Sequence, residues 1–558
     1  MSSESDQTVF QQSVEGQDNT ILFSEKKYTY ITDNSSNNGV FHGQLGFDLN
    51  SLSSQQNWTD LSEAYIQFPV KLSLKSNLAL TSSTVSANAA TIKSGFHNFV
   101  DSIQITLGGS TCVSSQIFTN IDTSYKILTE WSKDEYEKFG PSLGLSLDDY
   151  QMAADGAAAT DSLDNVAIAT LSPAYRGVCN NDIARNPGFK ERCNFLNNDM
   201  STSTSAAKTI LGTNMSSLGK GQAVFNAGSR TAGQDFFALY AIGTVRLKDI
   251  SDFCSKVPLI KSMKGYIYVN YNSASSTFIN TQSASANNLL TATPVNSSIY
   301  GRCQPGCIDS TNTTYLDNTV PSSITFTSEV SSTISGDLTT VAAPLTGARL
   351  YCPYYNALPE IDRILSQKKT FRYNERFVTT FDIDASGNYS GTISPGITNA
   401  QRIILYPYNT GAGAATPGLL SYAVNPLISP WDSAPNTTSP FSALKNLQIT
   451  LGGKQVWQSP IDFDYEIFLQ EISKNGLDGS QDVETTNSSI LDQRKWDQMY
   501  RFYTANLARR YGAEDGSSKA IQLSCTNATL KPMSVICIVH YQREITVDTS
   551  LGHVTQNL

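Results

Sequence analysis

The six residues Gln104 to Gly109, read as QITLGG, recur letter for letter at Gln448 to Gly453, 344 positions further along a chain of 558. The likeness continues in the flanks at the same offset: Val100 answers Leu444, Ile103 answers Leu447, Val113 answers Trp457, Ser115 answers Ser459 and Ile117 answers Ile461. A spacing held through both flanks marks an internal duplication. Whatever this chain folds into, it must build twice.

The repeated unit has a readable form. Ile103, Ile105 and Leu107 alternate with Ser102, Gln104 and Thr106, and Leu447, Ile449 and Leu451 alternate with Asn446, Gln448 and Thr450. Period two is a strand with one buried face. The Gly-Gly that follows tolerates positive φ at both positions of a tight turn, and STCV or KQVW supplies a return strand, so each copy predicts a β-hairpin. Beyond it the period changes: Ile121, Tyr125 and Leu128, then Tyr465, Phe468, Leu469 and Ile472, fall at helical spacing. Further strands are expected at Val40 to Leu49, Tyr65 to Leu74, Phe236 to Leu247 and Gly265 to Asn272 in the first half. The second half offers Phe377 to Ile383, Arg402 to Tyr408, Tyr500 to Leu507, Ala520 to Cys525 and Val535 to Val547. Many short strands, few helices and long polar connections predict two all-β sandwiches. Their expected cores are Phe68, Val70, Ile103, Ile105 and Leu107 in one, and Leu447, Ile449, Leu451, Val535 and Val539 in the other.

Charged residues make up only 16% of the sequence, so the polarity lies in Ser, Thr, Asn and Gly, which suits ordered β-protein with polar loops. A formal charge of −10 with few basic clusters speaks against broad nucleic-acid binding. KKYTY at Lys26 and ARRY at Ala508, the densest basic spots, read as solvated strand ends. The start of the chain has neither a basic nor an apolar segment of a signal peptide, and no run approaches the length of a membrane-spanning helix. Synthesis in the cytosol is therefore expected. Nine cysteines, odd in number and scattered, predict free thiols. Cys254, Cys352 and Cys537 are expected in the core, and Cys303 with Cys307 lacks the partners that a zinc site needs.

Catalytic and cofactor chemistry is missing from the sequence: no catalytic, cofactor-binding or metal-ligating residue is singled out. DIDASGNYSGTI imitates a calcium loop, but its twelfth position is Ile393 rather than a bidentate Glu, so a hairpin turn between Phe381 and Ile393 is expected. Asp462, Asp464 and Glu466 read as the acidic first turn of a helix. His540, within VICIVHYQ, reads as a strand residue with a satisfied ring. The sequons at Asn57, Asn436 and Asn527 read as polar loop residues.

The second half resembles the major capsid proteins of virophages and polinton-like viruses over nearly its whole length. The phrases that carry the resemblance are ARLYCPYYNALPEIDRIL (from Ala348), ISPGITNAQRIILYPYN (from Ile393), SPFSALKNLQITLGGKQVWQ (from Ser439), FDYEIFLQEI (from Phe463), YTANLARR (from Tyr503) and HYQREITVD (from His540). In the first half, VRLKDISDFCSKVPLIKSMKGYIYVNYN (from Val245) is similar to that family's strand, short helix, strand passage.

The resemblance implies a double jelly roll: two tandem eight-stranded β-sandwiches with short helices and long loop insertions. It further implies a non-enzymatic structural protein of the virion, with three copies forming a pseudo-hexagonal capsomer of an icosahedral double-stranded DNA virus. The implied partners are the chain itself and penton and minor capsid proteins, with no membrane span and no direct sequence-specific nucleic acid. The expected division is an N-terminal arm over 1–21, a first roll over 22–355 with insertions at about 140–235 and 273–345, and a second roll over 356–558. The insertions are expected to form an outward tower and contacts between capsomers. The alternatives are a penton or minor capsid protein, a carbohydrate- or receptor-binding β-sandwich protein, and a glycosidase, which would need a carboxylate pair facing one cleft.

Overall fold

The computed structural model describes residues 22–34, 40–41, 44–53, 57–76, 88–89, 93–147, 221–225, 235–271, 274–280, 290–291, 308–309, 323–331, 347–409, 443–472, 490–498, 500–508, 517–528 and 532–556. Sixteen of its strands form two sets of eight. The first set is β1 (Phe23–Thr32), β2 (Gln44–Asp48), β3 (Tyr65–Ser76), β4 (Val100–Leu107), β5 (Ser110–Val113), β6 (Asp235–Arg246), β7 (Gly265–Tyr271) and β8 (Arg349–Ala357). The second is β9 (Lys368–Ile383), β10 (Asn388–Ile397), β11 (Ala400–Asn409), β12 (Leu444–Leu451), β13 (Lys454–Gln455), β14 (Tyr503–Asn506), β15 (Lys519–Asn527) and β16 (Met533–Asp548).

Their pairing gives the topology. In the first set β1, β8, β3 and β6 lie side by side in one sheet and β2, β7, β4 and β5 in the other; in the second the orders are β9, β16, β11, β14 and β10, β15, β12, β13. Adding eight to each label of the first set reproduces the second. This two-sheet, eight-strand order is that of a jelly roll, and the chain is a double jelly roll.

The duplicated hairpin is β4–β5 in the first roll and β12–β13 in the second. Gly108 and Gly109 have φ of 56° and 84°, and Gly452 and Gly453 have 56° and 81°, the left-handed values that a two-residue turn demands of both positions. Helix α1 (Thr119–Glu130) follows the first hairpin and α2 (Tyr465–Ile472) the second. All ten expected core residues are buried, none more than 2% exposed. Each such aliphatic side chain contributes roughly 2 kcal/mol by leaving water. Cys254, Cys352 and Cys537 are buried free thiols, joined by Cys112 and Cys525.

Some sequence expectations need correction. The segment from Phe381 to Ile393 does turn tightly, with the Gly387 amide donating to the Asp384 carbonyl at 2.9 Å and Ser386 at a φ of 53°. It closes no hairpin, because β9 pairs with β16 and β10 pairs with β15 in the opposite sheet. Local sequence marks the turn but not which distant strand each arm joins. Asn527 is no loop residue: it is buried, and its side-chain amide donates to the Asp384 carbonyl at 2.9 Å. Cys303, Cys307, Asn436 and the ARRY arginines lie outside the described residues, as does the arm before Leu22.

Beyond the roll, the first sheet is extended at the far end of β3 and β6. Ser323–Ser331 pairs with β3, Ala274–Asn280 pairs with Ser323–Ser331, and Gly221–Phe225 pairs with β6.

Candidate functional site

The two rolls meet along a buried polar seam, built by α1 of the first roll lying across the outer face of the sheet β9, β16, β11, β14. Register fixes that face. Arg376 stands opposite His540, His540 opposite Arg402, and Arg402 opposite Asn506, so their side chains share one side of the sheet. Two residues on, Val378, Ile538, Ile404 and Thr504 continue it. The alternate residues Val535, Val539 and Ile403 point the other way, into the roll. Both faces of β16 are therefore covered, which is why VICIV is continuously apolar: its five residues are all 0% exposed.

Into the charged row α1 sends Asp122. Its carboxylate lies 2.6 Å from His540 Nε2 and 3.7 Å from an Arg376 nitrogen, while Arg376 donates to Thr119 Oγ1 at 2.9 Å. Burial would raise the Asp122 carboxyl, but His540, Arg376 and Lys126 outweigh it and hold the group below its ordinary value. One turn along, the Tyr125 hydroxyl accepts from Arg402 at 3.0 Å and sits 3.3 Å from Thr504 Oγ1; Tyr406 donates to the Ile121 carbonyl at 3.2 Å. Around this polar row Phe118, Ile121, Tyr125 and Leu128 join the core of the second roll.

The seam continues on the other face of the same strands. Glu375 is buried and accepts from the Ser114 amide at 2.9 Å and from Arg543 at 2.8 Å. Tyr373 donates to the Cys112 carbonyl, and the Asn374 amide donates to Asp252 at 2.8 Å. Here the second roll invades the first: Tyr373, Ile545, Val547 and Val554 belong to the first roll's core. Below, Asp362 on the connecting helix Pro359–Leu365 accepts from Trp58 Nε1 and from Lys261, each at 2.8 Å. Between the rolls a cleft remains, lined by Lys126, Asp249, Asp252, Glu375 and Arg376 among others.

His540 thus is a strand residue with a satisfied ring, and its partner comes from the other roll. The acidic cluster opens α2: Asp464 accepts from the Ile467 amide at 2.9 Å as a helix cap, and Asp462 from the Asn446 amide at 3.0 Å. Among the described residues no group of three His, Cys, Asp or Glu side chains is placed to hold a metal, and no helix is long and apolar enough to cross a membrane. Sequence reading missed Asp122, Glu375, Arg376, Arg402 and Arg543. The available signal was charge set inside otherwise apolar strand and helix periods.

No family model matches the chain, and no curated protein matches it. Among solved structures it is similar to a chain of the Sputnik virophage, at 12% identity with a TM-score of 0.41, covering 97% of this chain and 90% of that one. It is similar to the Faustovirus major capsid protein at 9% identity and a TM-score of 0.43, covering 94% and 90%. It is similar to the mavirus major capsid protein at 12% identity and a TM-score of 0.35, covering 97% and 93%.

Proposed function

We propose that the chain is a viral major capsid protein, a structural component of the virion with no enzymatic role. In this reading three copies associate into a capsomer of pseudo-hexagonal outline, and capsomers tile the icosahedral shell of a double-stranded DNA virus beside penton and minor capsid proteins. The observation that carries it is the same eight-strand order written twice and locked side by side through a buried seam. A closed threefold ring of such chains presents six like sandwiches, so a trimer fills a sixfold position in a lattice. The phrases that resemble virophage and polinton-like capsid proteins support the same reading.

Within it, residues 1–21 form an arm and 22–355 the first roll, whose last strand β8 runs on to Ala357, and the second roll follows to 558. The sheet extension that leaves β3 and β6 is the base of the outward tower. The test is the mass of the purified full chain by light scattering, with negative-stain images of the same sample. Particles of three times 60.7 kDa with hexagonal outlines are expected; a stable two-lobed monomer would overturn the capsomer reading.

A further inference from the structure

Among the described residues, the outer face of the first roll carries an exposed row of tyrosines. Tyr30 stands opposite Tyr351, and Tyr351 opposite Tyr65, in a row across β1, β8 and β3. Tyr65 and Tyr351 stack at 4.9 Å, and Tyr28 and Tyr30 are 53% and 52% exposed. Arg349 lies in the adjoining row, 4.8 Å above the Tyr30 ring, and has no carboxylate partner among the described residues. An exposed aromatic face with a cation that meets no carboxylate among the described residues is an interaction surface.

The duplication says what fits it. The strands of this face, β1, β8 and β3, correspond to β9, β16 and β11 of the second roll, whose outer face carries Arg376, His540 and Arg402 and takes α1 with Asp122 and Tyr125. At the repeat offset of 344, Asp122 corresponds to Glu466 and Tyr125 to Leu469, both on α2, with Glu466 exposed and Leu469 half-buried. Within one chain α2 packs near β14 and the helix Gln493–Gln498 of its own roll, so it cannot also cover the first roll's sheet.

We propose that α2 of a second copy docks on this tyrosine face, with Leu469 against the rings and Glu466 toward Arg349. It would repeat between chains the contact that α1 makes within one, and it rests on the trimeric reading above. Glu466 and Arg349 carry opposite charges, which favours this pairing. The contact is head-to-tail and closes only as a ring.

The experiment compares light-scattering masses of the wild-type full chain, Arg349→Glu, Glu466→Arg and the double variant, with circular dichroism of each to check the fold. Wild type is expected as trimer, each single reversal as folded monomer, and the double reversal as trimer again. A trimeric wild type whose single reversals stay trimeric overturns this docking and leaves the trimer reading standing. Loss of trimer in the singles without restoration in the double also overturns it. A monomeric wild type overturns both.

Discussion

At the residue scale, buried ionisable groups set how the fold answers acid. Burial pushes His97 down to about 3. Its Nε2 lies 2.7 Å from Ser124 Oγ, whose own hydrogen goes to the Asn120 carbonyl at 2.9 Å. Ser124 must then accept, so the neutral ring carries its proton on Nε2. The unfolded chain binds a proton at about pH 6.5 that the folded chain refuses until about 3. The stabilising contribution is complete above about pH 6.5 and drains away as pH falls toward 3, at about 1.4 kcal/mol per unit. Asp122, held low in the fold, adds a second loss only below the unfolded carboxyl value of about 3.9. We expect His97→Gln, which keeps a donor toward Ser124, to flatten the fall of melting temperature between about pH 6 and 4; a variant that loses stability as steeply as wild type would contradict this. Asp122→Ala leaves Arg376 buried without its carboxylate and should cost about 3–5 kcal/mol in denaturant unfolding. Ile105→Asp or Ile449→Asp places an unpaired charge in a core and should abolish soluble trimer.

At the element scale, the two copies of one turn are not equivalent. A Cβ on Gly108 would come 2.6 Å from the Gly552 carbonyl oxygen, because the C-terminal strand His553–Gln556 packs there; one on Gly452 would meet only the flexible Lys519 side chain at 3.2 Å. Both positions have positive φ, so Gly452→Ala should cost about 1 kcal/mol. Gly108→Ala should cost distinctly more, and equal losses in chemical denaturation would show that the tail yields. The hairpins and both helices were legible because apolar period and turn chemistry are local. Other elements were not. The sequence period marks Phe377 to Ile383, whereas β9 begins at Lys368, because Arg372, Asn374, Glu375 and Arg376 meet polar partners that obscure the apolar alternation. Strand β10 contains Gly396 and Pro395 and, among the described residues, pairs only with β15, an edge position where proline is admissible. The seam was the least legible part, since Asp122 and His540 are 418 residues apart.

At the scale of the whole molecule, the two rolls do not own separate cores. Tyr373, Ile545 and Val547 fill the first, and Phe118, Ile121 and Tyr125 fill part of the second. Cutting between β8 and β9 would expose both sets, so residues 1–357 and 358–558 expressed apart should be insoluble, and the intact chain should unfold in one calorimetric transition. Two resolved transitions would mean that the seam couples the rolls weakly. On the proposed reading, a duplicated sandwich fixed in one geometry by its seam is a piece of a sixfold ring. An electron cryomicroscopy reconstruction of the purified full-length protein, calculated without imposed symmetry, tests this most directly. It should show six upright sandwiches around one axis, alternating between first and second rolls, with a helix on the sheet at every junction. A ring with another number of sandwiches, or an isolated pair, would contradict it.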